Sequence, residues 1–158
     1  MNSPETPNRT VPVLSISPHP EDHGALDVVL HLRNAIDPGA TFILNAYATL
    51  NAALAALPKH QFEVIVCERD LKPGSWKDVL EQAVILPDPP PLIVTSRLAD
   101  DRLWAEALNL GAYDVLVKPF DRAETMRVVD AACRAWGGTR RRQIRRERYY
   151  VAAASHAS

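Results

Sequence analysis

Short apolar runs recur five times along the chain, and each is separated from the next by a segment with helical spacing. The runs are four to seven residues long and rich in valine and isoleucine, which is typical of strands. They are VPVLSIS (11–17), TFILNA (41–46), FEVIVCE (62–68), LIVTS (92–96) and VLVK (115–118). The pattern therefore predicts five strands.

The segments between and after these runs show helical periodicity, and the sequence marks several helix ends. Ser75 and Asp78 form a capping-box signature, and Asp121 stands where it can cap the final helix. Gly111 is placed where a helix stops in the left-handed conformation. A glycine pair at 137–138 is predicted to end the compact part of the chain. The result is five strands and five helices in strict alternation.

Strict alternation with nearly continuous apolar strands predicts an α/β fold, a doubly wound parallel sheet with helices on both faces. In such sheets the functional crevice lies outside the carboxyl ends of the strands. The candidate site residues are therefore those that end each strand. These are Ser17 and Pro18 after the first strand, Glu68 on the third, Thr95 on the fourth and Lys118 on the fifth.

The segment PLIVTSRLADDRLWAEALNLGAYDVLVKPF, residues 91–120, resembles the receiver domain of response regulators in two-component signalling. It has the receiver pattern of a strand ending in Thr-Ser, a helix, Gly-Ala, and a strand ending in Lys-Pro-Phe. With VIVCE before it, the resemblance covers about residues 11–136. It implies the flavodoxin-like (CheY-like) five-stranded sheet with strand order 2-1-3-4-5.

The resemblance also implies roles for individual positions, because receivers transfer a phosphoryl group to an aspartate with the help of a divalent cation. The phosphoacceptor position falls on Glu68, and the phosphoryl-sensing positions fall on Thr95 and Lys118. The Lys118–Pro119 bond corresponds to the one that is cis in the family. The position of the switch aromatic is occupied by Val115.

The acidic pair that binds magnesium in the family falls on Ser17 and Pro18, which carry no charge. We therefore expect magnesium binding to be lost, because Mg²⁺ needs charged oxygen ligands. Glutamate is also one methylene longer than aspartate, and misplacements of about 1 Å can cost about a hundredfold in rate. These departures indicate a degenerate receiver. We hypothesise a Glu68–Lys118 ion pair that fixes one signalling conformation, and the alternative is a bridge with a structural role alone.

The expected function is phosphorelay signal transduction by a stand-alone receiver-like module that acts through protein–protein contact and not as an enzyme. Its expected partners are a histidine kinase or a downstream signalling protein, with homodimerisation through the helix 4–strand 5–helix 5 face as a further option. One alternative is a phosphorylation-competent receiver that uses Glu68 or Asp70 as an unusual acceptor. Another is a nucleic-acid-associated regulator that acts through the C-terminal tail, although no DNA-reading motif accompanies it.

The composition of the chain is typical of one globular domain, and the distribution of charge indicates a separate basic tail. The chain has 158 residues, of which 47% are hydrophobic and 23% charged. We expect residues 1–10 to be disordered, residues 11–138 to form the receiver-like domain, and residues 139–158 to form a partly helical or disordered tail. The tail carries six arginines against one acid, whereas the rest of the chain has a net charge of −6.

No apolar run approaches the roughly 18 residues that cross a bilayer. The two cysteines, Cys67 and Cys133, are too few for a disulfide framework. We interpret both as reduced packing residues in a cytoplasmic protein.

Several other residues have both a functional and an ordinary interpretation. Asp22 and Asp70 lie near the crevice mouth, but aspartates in loops usually serve as turn and capping residues. His19 and His23 flank an acidic dipeptide, yet no third histidine or cysteine supports a metal site. Trp104 and Leu108, at i and i+4 of the predicted fourth helix, belong either to the core or to a partner surface.

Overall fold

A computed structural model of the chain describes residues 8–156. Five strands alternate with five helices, as the sequence predicts. The strands are β1 (Arg9–Ile16), β2 (Ala40–Tyr47), β3 (Val64–Glu68), β4 (Leu92–Ser96) and β5 (Asp114–Val117). The helices are α1 (Pro20–Ile36), α2 (Leu50–Ala56), α3 (Trp76–Ala83), α4 (Asp101–Leu110) and α5 (Arg122–Ser155).

All five strands are parallel and pair in the order β2-β1-β3-β4-β5. This confirms the predicted doubly wound topology. Because the strands are parallel, the carboxyl ends of β1, β3, β4 and β5 lie along one edge of the sheet. Their amino ends lie along the opposite edge.

The sheet separates two hydrophobic cores, and alternate residues of the central strands face opposite sides. Ile65 and Cys67 of β3 pack into one core, whereas Val64 and Val66 pack into the other. Cys133 of α5 packs into the second core. Both cysteines are buried and unpaired, as predicted. Burial raises the pKa of the Cys67 thiol and raises that of Cys133 to about 12, so both stay protonated at neutral pH.

Helix caps follow the sequence closely. Ser75 and Asp78 form the predicted capping box at the start of α3. The carboxylates of Asp100 and Asp121 accept backbone hydrogen bonds at the starts of α4 and α5. Gly111 ends α4 with φ of 106°, a conformation that favours glycine. These local signals fix where three of the five helices begin.

The amino-terminal end of the domain differs from the prediction, whereas the carboxyl-terminal end agrees with one of the predicted options. Strand β1 begins at Arg9, so two residues assigned to a disordered N-terminus belong to the sheet; residues 1–7 lie outside the described residues. Helix α5 is 34 residues long and runs past the glycine pair through most of the tail, in agreement with the predicted option of a partly helical tail. A glycine costs only about 1 kcal/mol relative to alanine inside a helix. Trp136 is buried just before the pair, and its indole N–H donates to the Asp88 carbonyl.

Within residues 8–156, every helix is too short or too polar to cross a membrane.

Glu63 is a buried carboxylate at the amino-terminal edge of the sheet. Only 5% of it is exposed. Arg9 donates to one of its carboxylate oxygens, and the other oxygen has no hydrogen-bond partner among residues 8–156. Burial raises the pKa of Glu63, and the nearby charges of Arg9 and Arg140 oppose this rise without cancelling it.

We predict that Glu63→Gln changes how stability depends on pH. A carboxyl group whose pKa is raised by folding binds more protons in the folded state, so its contribution to stability is lost as pH rises through the raised pKa. The unfolding free energy of the wild type should therefore fall relative to that of the variant between pH 4.5 and the raised value. Urea denaturation at several pH values measures this difference. A difference that is constant with pH would contradict the prediction.

Candidate functional site

Four of the predicted site residues come together at the carboxyl edge of the sheet. Ser17 follows β1, Glu68 ends β3, Thr95 lies near the end of β4, and Lys118 follows β5. All four side chains belong to buried residues, while Pro18 is exposed. The strand ends therefore form a compact polar cluster in an otherwise apolar setting.

Lys118 is the centre of this cluster. Its ammonium nitrogen Nζ lies 2.5 Å from Oε2 of Glu68, so the predicted ion pair is present. The same nitrogen lies 2.7 Å from Oδ2 of Asp22. Burial alone lowers the pKa of Lys118, but hydrogen bonds and charge attraction from the two carboxylates outweigh burial and raise it. Lys118 is therefore a charged ammonium shared between two carboxylates.

Asp22 is the site residue that the sequence analysis placed wrongly. It was interpreted as a turn or capping residue of a loop, yet it lies buried in the first turn of α1. Its Oδ2 accepts a hydrogen bond of 2.6 Å from the Ser17 hydroxyl as well as the bond from Lys118. The available signal was Pro20, which favours the first turn of a helix and therefore places Asp22 inside that turn.

The two histidines that flank Asp22 contribute to the local structure around the start of α1. The ring of His23 lies between the Ser15 hydroxyl, 2.7 Å from Nδ1, and the Ser17 carbonyl, 2.9 Å from Nε2. It therefore ties α1 to β1 beside the cluster. His19 is the exposed N-cap residue of α1. No group of three histidine, cysteine or acidic side chains suited to a metal occurs in the part of the chain that the structure describes.

Asp70 does not join the cluster. Its side chain is 84% exposed, and Arg69 approaches it at 3.9 Å. It pairs with Ser75 in an isolated antiparallel bridge at the start of α3. Its position agrees with the turn interpretation.

A family model described as the response regulator receiver domain matches residues 21–130. The chain belongs to this family. It is a receiver domain of two-component signalling, and the match spans the segment from the first turn of α1 to the third turn of α5.

Solved receiver structures share the fold of this receiver. A CheY-like receiver domain protein from Methanospirillum hungatei JF-1 is 14% identical, with a TM-score of 0.69 over 82% of this chain and 98% of the other. The chemotaxis response regulator CheY4 of Vibrio cholerae is 17% identical, with a TM-score of 0.65 over 78% and 98%. The Francisella response regulator 1452 receiver domain is 20% identical, with a TM-score of 0.65 over 79% and 98%. A search of curated proteins found no match.

The remaining predicted positions of the receiver pattern lie where the sequence analysis placed them. The Lys118–Pro119 peptide bond is cis, and a second cis bond, Lys72–Pro73, was not predicted. The Thr95 hydroxyl donates to Oε2 of Glu68 over 3.5 Å, at the limit of a hydrogen bond. Val115, which the resemblance assigns to the position of the switch aromatic, is 1% exposed and packs into the same core as Ile65 and Cys67.

We predict that Lys118→Met lowers the free energy of unfolding by about 3 kcal/mol at pH 7, because it leaves two buried carboxylates without their cation. Urea denaturation of the variant and the wild type measures the loss.

Lys77→Met is the matched control. Lys77 also pairs with a carboxylate, that of Glu106, but both side chains are largely exposed. Exposed ion pairs contribute little to stability, so this variant should remain close to the wild type. Equal losses in the two variants would mean that the buried cluster contributes no more than a surface pair.

Proposed function

We propose that this receiver signals without magnesium-dependent aspartate phosphorylation, through cytoplasmic protein–protein contact with a histidine kinase or a downstream signalling protein. The observation that carries the proposal is the position of the Lys118 ammonium. It lies within 2.7 Å of both carboxylates of the pocket. The pocket therefore carries its own cation.

The charges and hydrogen bonds of the cluster do not fit a magnesium ion. Mg²⁺ takes hard oxygen ligands at about 2.1 Å in near-octahedral geometry. Oδ2 of Asp22 is already bonded to Ser17 and Lys118, and Oε2 of Glu68 is bonded to Lys118. A divalent ion at this point would have to displace the ammonium and bring it into repulsion with the metal. Neither Ser17 nor Pro18 offers a charge to offset that cost.

The same contacts oppose phosphoryl transfer to Glu68. A nucleophilic carboxylate must have a free oxygen in line with the incoming phosphorus. In this receiver Oε2 of Glu68 contacts Lys118 and Thr95 inside the buried cluster, so these contacts restrain the carboxylate and leave only Oε1 for an attack. Asp70 is paired only loosely, with Arg69 at 3.9 Å, but its side chain is 84% exposed and lies outside the buried cluster that holds Lys118. Both alternative acceptors are therefore disfavoured.

The docking surface that we propose lies beside β5. Helix α4 packs on the domain through its buried residues Leu103 and Ala107. The rest of this helix and the segments next to it expose several large apolar side chains. Trp104 packs against the core, whereas Leu108 is half exposed. Of the two residues predicted to belong either to the core or to a partner surface, one therefore has each position. The exposed apolar residues are Leu98, Leu108, Leu110, Tyr113 and Val117. A surface of this kind fits a protein partner, and a second copy of the chain is the alternative occupant.

The cluster can set the conformation of this surface because Lys118 directly follows β5. Its backbone N–H donates to the Ser96 carbonyl, which links β5 to the start of the loop before α4. Asp22 and Glu68 hold the side chain while this bond holds the main chain. The ion pairs therefore act on the segment that carries Val117 and on the loop that carries Leu98.

We predict that the wild-type chain, incubated with Mg²⁺ and acetyl phosphate, gains no phosphoryl group. Intact-mass spectrometry detects the modification, and calorimetric titration detects Mg²⁺ binding. The triple variant Ser17→Asp/Pro18→Asp/Glu68→Asp restores the family's acidic set and should bind Mg²⁺ more tightly than the wild type. A phosphoryl adduct on the wild type would refute the proposal, and Glu68→Ala and Asp70→Ala variants would then identify the acceptor.

We also predict that Glu68→Gln loosens the docking surface, because it weakens one of the two ion pairs of Lys118. A hydrogen bond to a charged group contributes about 1.5–3 kcal/mol. Amide exchange in residues 96–100 and 114–120 should therefore become about tenfold faster. Hydrogen–deuterium exchange with mass spectrometry measures these peptides.

Glu106→Gln is the control, because it makes the same chemical change in an exposed ion pair on α4. Amide exchange in the β5 segment of the Glu106→Gln variant should match that of the wild type. If Glu68→Gln also leaves exchange unchanged, the cluster is a structural bridge without influence on the docking surface.

A further inference from the structure

A groove with a volume of about 560 Å³ lies on the opposite side of the domain from Lys118. It is bounded by the end of α1, the starts of β1 and β2, and the middle of α5. Since the strands are parallel, their amino-terminal ends lie at the far edge of the sheet from the Glu68 cluster. The volume is within the range of small-molecule sites, roughly 300–1,000 Å³.

Arginines dominate the lining of this groove. Five of them, at positions 9, 33, 134, 140 and 141, face two aspartates at positions 37 and 130. Even when the buried Glu63 beneath Arg9 is included, the net charge is +2. The groove is therefore basic although the body of the chain is acidic.

Two of the arginines already have partners. Arg33 donates to Asp130 over 2.9 Å and to Asp37 over 3.3 Å, and its guanidinium lies 4.2 Å from the centre of the Phe42 ring. Arg9 pairs with Glu63. Both aspartates of the lining are therefore paired with the single guanidinium of Arg33, and this set of three side chains keeps a net charge of −1.

The other three arginines, all on α5, have no carboxylate within 4.0 Å among residues 8–156. They are Arg134, Arg140 and Arg141. Their charges face the groove without a direct ion-pair partner, and Arg140 acts on the buried Glu63 only at longer range. An anion could bind to them without first breaking an ion pair.

The α5 arginines are also partly ordered by their surroundings. The Arg140 guanidinium lies over the Trp136 ring at 5.2 Å, and Trp136 is itself fixed by its bond to the Asp88 carbonyl. Arg141 extends back along the helix, since a Cβ added at Gly137 would lie 3.8 Å from its Nη2. Gly137 leaves this space open for the guanidinium of Arg141, which lines the groove together with Arg134.

We propose that this groove is a binding site for a ligand with two or more linked phosphate groups, contacted by Arg134, Arg140 and Arg141. Guanidinium groups bind phosphate oxygens through paired, charge-assisted hydrogen bonds. Three guanidiniums without a direct ion-pair partner, spread over about two turns of α5, exceed the charge of one phosphate and suit a diphosphate or triphosphate. The shared chemistry is the polyphosphate group, whether it belongs to a nucleotide or is inorganic.

The test is calorimetric titration of the full chain with inorganic triphosphate, ATP and GTP at fixed low salt. We expect saturable one-to-one binding. The variant Arg134→Gln/Arg141→Gln should weaken it at least about tenfold, because each substitution removes charge-assisted bonds. Tighter binding of a nucleotide than of triphosphate would assign the ligand to nucleotides. Equal binding would show that the polyphosphate group suffices.

The matched control is Arg142→Gln/Arg145→Gln, which removes the same charge from the same helix outside the groove. Circular dichroism verifies that both pairs of substitutions leave the helix intact. The control should retain wild-type affinity. Equal weakening by both pairs would overturn the proposal, as would the absence of binding up to about 1 mM.

A single-stranded oligonucleotide provides the last comparison. If it binds more tightly than triphosphate, and if both variant pairs weaken it equally, then the arginines of α5 form a general polyanion surface. That outcome would reject a specific site in the groove and favour the nucleic-acid role considered for the tail.

Discussion

The burial of one lysine constrains the whole carboxyl edge of this receiver. Removing an ammonium from water costs several kcal/mol, and only close, well-placed carboxylates can offset that cost. Lys118 has two, and they come from β3 and from the first turn of α1. Helix α1 must therefore begin where Asp22 can reach the pocket. Ser17 and His23 support this arrangement by tying the start of α1 to the end of β1.

This arrangement is the physical basis of the proposal that this receiver departs from the family's chemistry. In the family pattern, acids after the first strand hold a metal, and the lysine is free to meet a phosphoryl group. Here the first-strand acids are replaced by Ser17 and Pro18, and the nearest acid, Asp22, is bound to the lysine itself. The proposed phosphate groove lies at the other edge of the sheet. Helix α5 connects the two regions, since it begins just after Lys118 and its later turns line the groove.

Much of the fold could be predicted from local sequence. Apolar runs located all five strands, and Ser75, Gly111 and Asp121 marked helix ends that the structure has. The glycine pair does not interrupt α5, because helix propensity is a weak effect that tertiary contacts override, and burial of Trp136 stabilises α5 up to that point. The convergence of Glu68, Thr95 and Lys118 was predictable because parallel strand ends must share one edge.

The sequence by itself determined the alternation of strands and helices, the residue at each strand end and the loss of the first-strand acids, because these depend on residue type and spacing. Only the tertiary structure decided that Asp22 completes the pocket and which arginines of the groove form ion pairs. Both outcomes depend on distances between elements remote in the chain, such as the 96 residues that separate Asp22 from Lys118. Periodicity reports the face of an element on which a residue lies, whereas ion pairing depends on how the elements pack.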